Sequence, residues 1–315
     1  MKEIGGYIEF ESYNGTIYHE GAVALNCGRN CLAYLIEANN IKKIRLPYFL
    51  CASVRNVCVK YGVEITFYTI GADLRPVVDF ELREDEWLYI VNYYGQLSND
   101  EAAAYKSKYD RVIFDNAQAY FQPPVEDIDT IYTCRKFFGV PDGGFLFTDK
   151  RLSRELPFDE SFERIHYIMG RFERTAGEFY KESSDNNRSF ADAPIRRMSR
   201  LTENLLRSFD YDRIISRRTD NFAFLHERLS GINRLSLTVP QGAFMYPFYL
   251  ENGAEVRKRL QQMKIFVPTL WNDVFDYRDR NSLEGDYTEN ILPLPIDQRY
   301  DIGDMEMILS ALEPK

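Results

Sequence analysis

The sequence predicts an α/β fold: a mainly parallel sheet flanked by helices in a large domain, followed by a small αβ C-terminal domain. Three observations carry that expectation. Short apolar runs alternate with helix-spaced segments from about residue 28 to 150, several of those runs are β-branched or aromatic throughout, and a second strand–helix set follows after residue 235. Strands covered on both faces lose the in–out alternation of a half-exposed sheet, and strand–helix alternation sets parallel strands side by side with helices over them.

The expected strands of the large domain are KIRLP (43–47), VEITFYT (63–69), EWLYIVN (86–92), RVIFD (111–115), TIYT (130–133) and GFLFT (144–148). Between them, GRNCLAYLIEANN (28–40), CASVRNVCVKYG (51–62) and NDEAAAYKSKY (99–109) carry helical spacing. Leu32, Leu35 and Ile36 make one apolar stripe of the first, and Asn99 or Asp100 caps the third. Residues 157–230 read as mostly helical, with Met198, Leu201, Leu205 and Phe209 along one face and the polar ESSDNNRSFADAP (182–194) as an exposed loop. Beyond it, LSLTVP (235–240) and FMYPFYLE (244–251) read as strands and GAEVRKRLQQM (253–263) as a helix, then KIFVP (264–268) and a last helix near 304–312. The transition is set near residue 212, inside a bridging helix, giving a large domain over 1–211 and a small one over 212–315.

Composition narrows the function. A net charge of −9 argues against a broad nucleic-acid footprint or an anionic membrane surface, and the basic run IRRMSR (195–200) is too short to reverse it. Five cysteines without Cys-x-x-Cys spacing and three scattered histidines make no metal site. No apolar stretch approaches a membrane span, and MKEIGGYIEF lacks the apolar core of a signal peptide, so a cytoplasmic setting with free thiols is expected.

Four stretches carry chemistry. FDNAQAYFQ (114–122) sets Asp115 and Gln118 where a buried strand runs out, and such a carboxylate is either a turn residue or part of a ligand site. YTCRKFFGVPDGGFLF (132–147) holds Lys136 on a loop that re-enters the sheet through Gly143 and Gly144, which let backbone pass close to something. NCGRN (26–30) feeds a helix whose N-terminal N–H groups can seat an anion, and PYFLCAS (47–53) forms a further strand outlet. A phosphate seat, a strand-end carboxylate and a lysine on a later loop are together what pyridoxal phosphate needs: an amine for its aldehyde, a counter-charge for its ring nitrogen and donors for its phosphate.

In their order and spacing these stretches resemble the DegT/StrS-type sugar aminotransferase family of fold-type-I pyridoxal phosphate-dependent enzymes. The matching segments are CGRNCLAYLI, LPYFLCASVRNVCVKYGVEITFY, VNYYGQ, VIFDNAQAYF, RKFFGVPDGGF, RRMSRLTENLLRSFDYDRIISRR and ILPLPID. The resemblance implies a pyridoxal 5'-phosphate-dependent transaminase moving an amino group from an amino acid, glutamate in this reading, to a nucleotide-linked keto-sugar. It implies a homodimer with active sites at the subunit interface. Lys136 matches the Schiff-base lysine, Asp115 the partner of the pyridine nitrogen and Gln118 the neighbour of the ring oxygen. Gly28, Arg29 and Asn30 match the phosphate turn, chiefly through backbone N–H groups, and Thr133 matches a hydroxyl near the phosphate. Cys51 stands where many members have an aromatic residue over the ring. Pro141-Asp142-Gly143-Gly144 replaces Gly-Glu-Gly-Gly, and Ile195 replaces the asparagine that reaches the partner's phosphate, with Asn186 or Asn187 as candidate substitutes. These departures leave open an alternative, a non-catalytic protein of the same fold with a regulatory or scaffold role.

Overall fold

The apolar runs of the first half become adjacent strands because almost every residue in them is covered. In the computed structural model, which describes residues 4–313, the elements follow in order. They are β1 (Val23–Leu25), α1 (Gly28–Ala38), β2 (Lys43–Pro47), α2 (Ala52–Lys60), β3 (Glu64–Tyr68), β4 (Glu86–Val91), α3 (Asn99–Tyr109), β5 (Val112–Asp115), β6 (Asp129–Thr133) and β7 (Gly144–Phe147). Then come α4 (His166–Glu173), α5 (Tyr180–Ser189), α6 (Arg200–Leu206), α7 (Tyr211–Leu229), β8 (Tyr246–Tyr249), α8 (Gly253–Gln262), α9 (Leu283–Asn290), β9 (Ile291–Leu294) and α10 (Ile302–Leu312).

The seven-stranded sheet runs β1-β7-β6-β5-β4-β2-β3. Its pairs are parallel except that β7 is antiparallel to both β1 and β6. All four residues of β5 are buried, as are Leu88–Val91 of β4, which explains why those runs lack alternation. α3 starts at a capping box in which Ser98 and Glu101 satisfy each other's backbone N–H groups. The smaller sheet pairs β8 with β9 antiparallel. Phe222, Leu225, Val256, Leu260, Leu292, Leu294, Met305 and Ile308 form its core, and α7 reaches that core from Ile214, which packs in the large unit.

Four expectations change. The cap of α3 is Ser98, not Asn99 or Asp100, because its hydroxyl accepts from the Glu101 N–H and both expected residues lie inside the first turn. The stretch expected as a loop at 182–194 is helical to Ser189, because the buried Asn186 amide donates to the Pro141 carbonyl at 2.8 Å and anchors α5. LSLTVP forms no strand: its Thr238 exchanges backbone hydrogen bonds with the Gln96 side chain, at 2.8 and 3.1 Å, instead of with a neighbouring strand. The helix expected through Phe209 is α6 alone, and Phe209 lies beyond it, stacked 5.0 Å from Phe138.

Candidate active site

The parallel strands end together, so their outlets form one edge. α1 starts at that edge against the end of β6. A Cβ on Gly28 would sit 3.7 Å from the Thr133 Cβ, and one on Gly144 would come within 2.9 Å of the Gly28 nitrogen, so any side chain at 144 would collide with backbone. Cys27 caps α1 without a side-chain hydrogen bond, and the Asn30 and Cys31 N–H groups turn back to its carbonyl, each at 3.1 Å. The Gly28 and Arg29 N–H groups and the Thr133 hydroxyl have no partner oxygen among the described residues. Burial pushes the Cys27 thiol up, against the pull of the Asn30 N–H and of Arg135 and Arg29, so it stays neutral and leaves the positive end of α1 open to an anion.

The side chains of the turn are engaged otherwise. Asn30 donates to Asn26 Oδ1 and to the Pro194 carbonyl, both at 2.8 Å. Arg29 donates to the carbonyl and side-chain oxygen of Asn187 at 2.7 and 3.2 Å, and Arg135 shares that side-chain oxygen at 3.1 Å. Asn187 and Asn186 are therefore both committed within the chain, and Ile195 is buried.

Asp115 closes β5. The register sets Val91 opposite Asp115, so Tyr89, two residues back on the same face of β4, reaches the carboxylate diagonally. Its hydroxyl donates to Oδ2 at 2.8 Å, and the Ala117 N–H donates to Oδ1 at 2.8 Å. Burial first, then the Asp115 charge, raises the Tyr89 hydroxyl well above its ordinary value, so it remains a neutral donor. Gln118 is buried with its oxygen held by the Tyr94 N–H at 2.8 Å, while its amide NH2 has no partner among the described residues. Tyr94 itself takes φ 55°, a left-handed backbone uncommon for an aromatic residue. Cys51 is half-buried at the β2 outlet, its sulfur 2.8 Å from the Ser53 hydroxyl.

Lys136 lies on the loop 134–143 between β6 and β7, exposed, with its ammonium 5.4 Å from the centre of the Phe244 ring. It lines a cavity of about 800 Å³ together with Tyr167, Arg171, Phe179, Arg218 and Arg299. Asp115, Gln118, Thr133 and Cys51 do not line that cavity. The structure thus gathers Gly28, Arg29, Asn30, Cys51, Asp115, Gln118 and Thr133 on one edge and sets Lys136 on the adjoining loop, without a hydrogen bond from its ammonium to them. Tyr89, Arg135 and Arg218 were missed from sequence: only strand register and long-range packing bring them here. Among the described residues no group of three or more His, Cys, Asp or Glu side chains is arranged to hold a metal, and no helix is long and apolar enough to cross a membrane.

No protein-family model and no curated protein sequence matches the chain. Solved structures do. DesV of S. venezuelae, determined in complex with a ketimine intermediate, is 15% identical over 92% of this chain and 83% of its own, with a TM-score of 0.66. A DegT DnrJ EryC1 StrS aminotransferase from Brucella abortus is 15% identical over 93% of this chain and 85% of its own, with a TM-score of 0.63. The E. coli GDP-4-keto-6-deoxy-D-mannose-3-dehydratase with bound hydrated PLP is 14% identical over 93% and 87%, with a TM-score of 0.60. At such identities the likeness is one of architecture, and the chain has the fold-type-I architecture that the resemblance implied.

Proposed function

We propose that the chain is a pyridoxal phosphate-dependent aminotransferase that moves an amino group from an amino acid, glutamate by preference, to a nucleotide-linked keto-sugar. The observation that carries the reading is the joint arrangement at the strand outlets: a helix N-terminus with open N–H groups against the free Thr133 hydroxyl, and beside it a carboxylate oriented by Tyr89 and Ala117. That set fits the cofactor. The Gly28 and Arg29 N–H groups and Thr133 would hold its phosphate, Asp115 its ring nitrogen, and the Gln118 NH2 its ring oxygen. When bound, pyridoxal phosphate supplies an aldehyde for an amine and a ring that withdraws electrons.

The chain's residues do the remainder. Two hydrogen bonds keep Asp115 oriented, so its carboxylate holds a proton at a bound ring nitrogen. Lys136 supplies the reacting amine and, as an amine base, takes and holds the proton of the substrate carbon that bears the amino group. The cavity beside it, with Arg135, Arg171 and Arg299 among Tyr167, Phe172 and Tyr180, suits an anionic substrate with a flat ring, as a nucleotide-linked sugar is. The exposed Phe172 and Tyr180 and the apolar residues at 4–10 support a homodimer.

One observation favours a second reading, a non-catalytic protein of this fold: Ile195 is buried and Asn186 and Asn187 are committed within the chain, so none reaches a partner's site. Titration with pyridoxal phosphate separates the two. The enzyme reading expects a visible absorbance band that Lys136→Ala abolishes, and a band identical in the variant contradicts it. Keto-acceptors screened with and without a nucleotide then decide the substrate class.

A further inference from the structure

Arg218 is the largest of the wholly buried side chains, at 1% exposure. Among the described residues it forms no ion pair, since the nearby Asp297 carboxylate is taken by Arg299 at 2.6 and 2.8 Å. Burial pulls its guanidinium down to about 10, with Asp297 opposing and Arg299 adding to the fall, so it remains a cation at neutral pH. Its donors all go to uncharged oxygens. Nε donates to Gln298 Oε1 at 2.7 Å, and one terminal nitrogen to the Ala243 and Phe244 carbonyls at 2.9 and 3.3 Å. The other terminal nitrogen donates to the Phe137 carbonyl at 3.1 Å.

That last carbonyl belongs to the residue after Lys136, and it takes a second donor, Gln298 Nε2, at 2.8 Å. The Arg218 guanidinium also lies 4.8 Å over the Phe137 ring, which packs 5.8 Å from Phe244, the ring beneath the Lys136 ammonium. A buried, unpaired cation is costly, and an apolar side chain would fill this space without that cost. What an apolar side chain cannot do is bind carbonyls of the lysine loop and of the segment entering β8 at once. A planar fork with five donors does so.

We propose that Arg218 and Gln298 are positioning residues for Lys136, fixing the Phe137 carbonyl so that the lysine arm leaves the loop in one direction. The anchor comes from the C-terminal part of the chain, so the set of that part against the sheet also sets the lysine. This rests on the reading of Lys136 as the reacting amine. Without the anchor, the arm would range over the 800 Å³ cavity, and misplacing a reacting group by about 1 Å costs on the order of a hundredfold.

The test compares the full chain with Gln298→Ala and Arg218→Lys. Each is incubated with pyridoxal phosphate, trapped with borohydride and mapped by mass spectrometry, with the exposed Lys60 and Lys258 as internal references. In Gln298→Ala, labelling at Lys136 relative to the references is expected to fall roughly ten- to a hundredfold in a chain that stays folded, its melting temperature lowered by the Arg218 Nε left without its acceptor. Arg218→Lys, which keeps the charge and loses the fork, follows it if folded, and hydrogen exchange across 134–143 rises in both. Wild-type labelling at Lys136 in a folded Gln298→Ala overturns the proposal, whatever Arg218→Lys does to folding. If Lys136 of the wild-type chain labels no faster than Lys60 and Lys258, the reading of Lys136 as the reacting amine fails instead. Loop exchange then judges the anchor alone, and unchanged exchange overturns it too.

Discussion

A buried carboxylate is stable only where donors replace the water it has lost, and Asp115 has two, the Tyr89 hydroxyl and the Ala117 N–H. Tyr89→Phe removes one of them without changing shape. It is expected to lower stability by about 1–3 kcal/mol in urea denaturation, because a charged acceptor is left short of a partner. A variant as stable as wild type would mean that water already serves Asp115. Asp115→Asn has the opposite profile: the fold persists, since the amide oxygen still accepts from the Ala117 N–H and the amide NH2 can donate to the Tyr89 hydroxyl oxygen, while transamination falls about 10²–10³-fold with the loss of the charge at the ring nitrogen. Full-rate turnover by that variant would return Asp115 to the role of a turn residue.

The elements behind the site edge depend on an aromatic layer with one histidine inside it. His19 is packed against Tyr120, Tyr132, Phe145 and Phe147, and its Nε2 meets the Tyr120 carbonyl at 2.8 Å. Burial holds its pKa down to about 3, against 6.5 for a free ring, and the hydrogen bond to Tyr120 only partly opposes this. Between those values the unfolded ring binds a proton that the folded one does not. Stability is therefore complete above about pH 6.5 and declines as pH falls toward 3, by up to about 1.4 kcal/mol per unit. Urea midpoints of wild type and His19→Gln over that range check it, and equal slopes would exclude His19 as the cause. Such burial is not legible in the segment around His19, because Tyr120, Tyr132, Phe145 and Phe147 lie far from it along the chain. What could be read locally was read: the unalternating runs at 86–92 and 111–115 became strands, and Asp115 was singled out by its position at a strand outlet. What depends on partners distant in sequence could not be. Tyr89 meets Asp115 through register, Thr238 leaves its strand pattern for Gln96, and α5 owes its form to a single amide on the Pro141 carbonyl.

At the scale of the molecule, Ile4, Tyr7 and Ile8, close together in the chain, are each more than nine-tenths exposed, and Phe172 is 91% exposed. The proposed homodimer would cover them. Sedimentation velocity is expected to give twice the chain mass for wild type and the single chain for Ile8→Glu combined with Phe172→Glu, whereas a monomeric wild type would remove the dimer from the proposal. The two parts of the chain meet at Arg218, Gln298 and the Phe137 carbonyl, where the lysine loop is held. Whether that assembly performs amino transfer is decided by one half-reaction. The chain is loaded with pyridoxal phosphate, mixed with glutamate and denatured, and the released cofactor is separated chromatographically. The expected result is conversion to pyridoxamine phosphate with an equivalent of 2-oxoglutarate, absent in Lys136→Ala. Cofactor recovered unchanged after incubation with glutamate and every other amino donor would contradict the aminotransferase reading and leave the non-catalytic one standing.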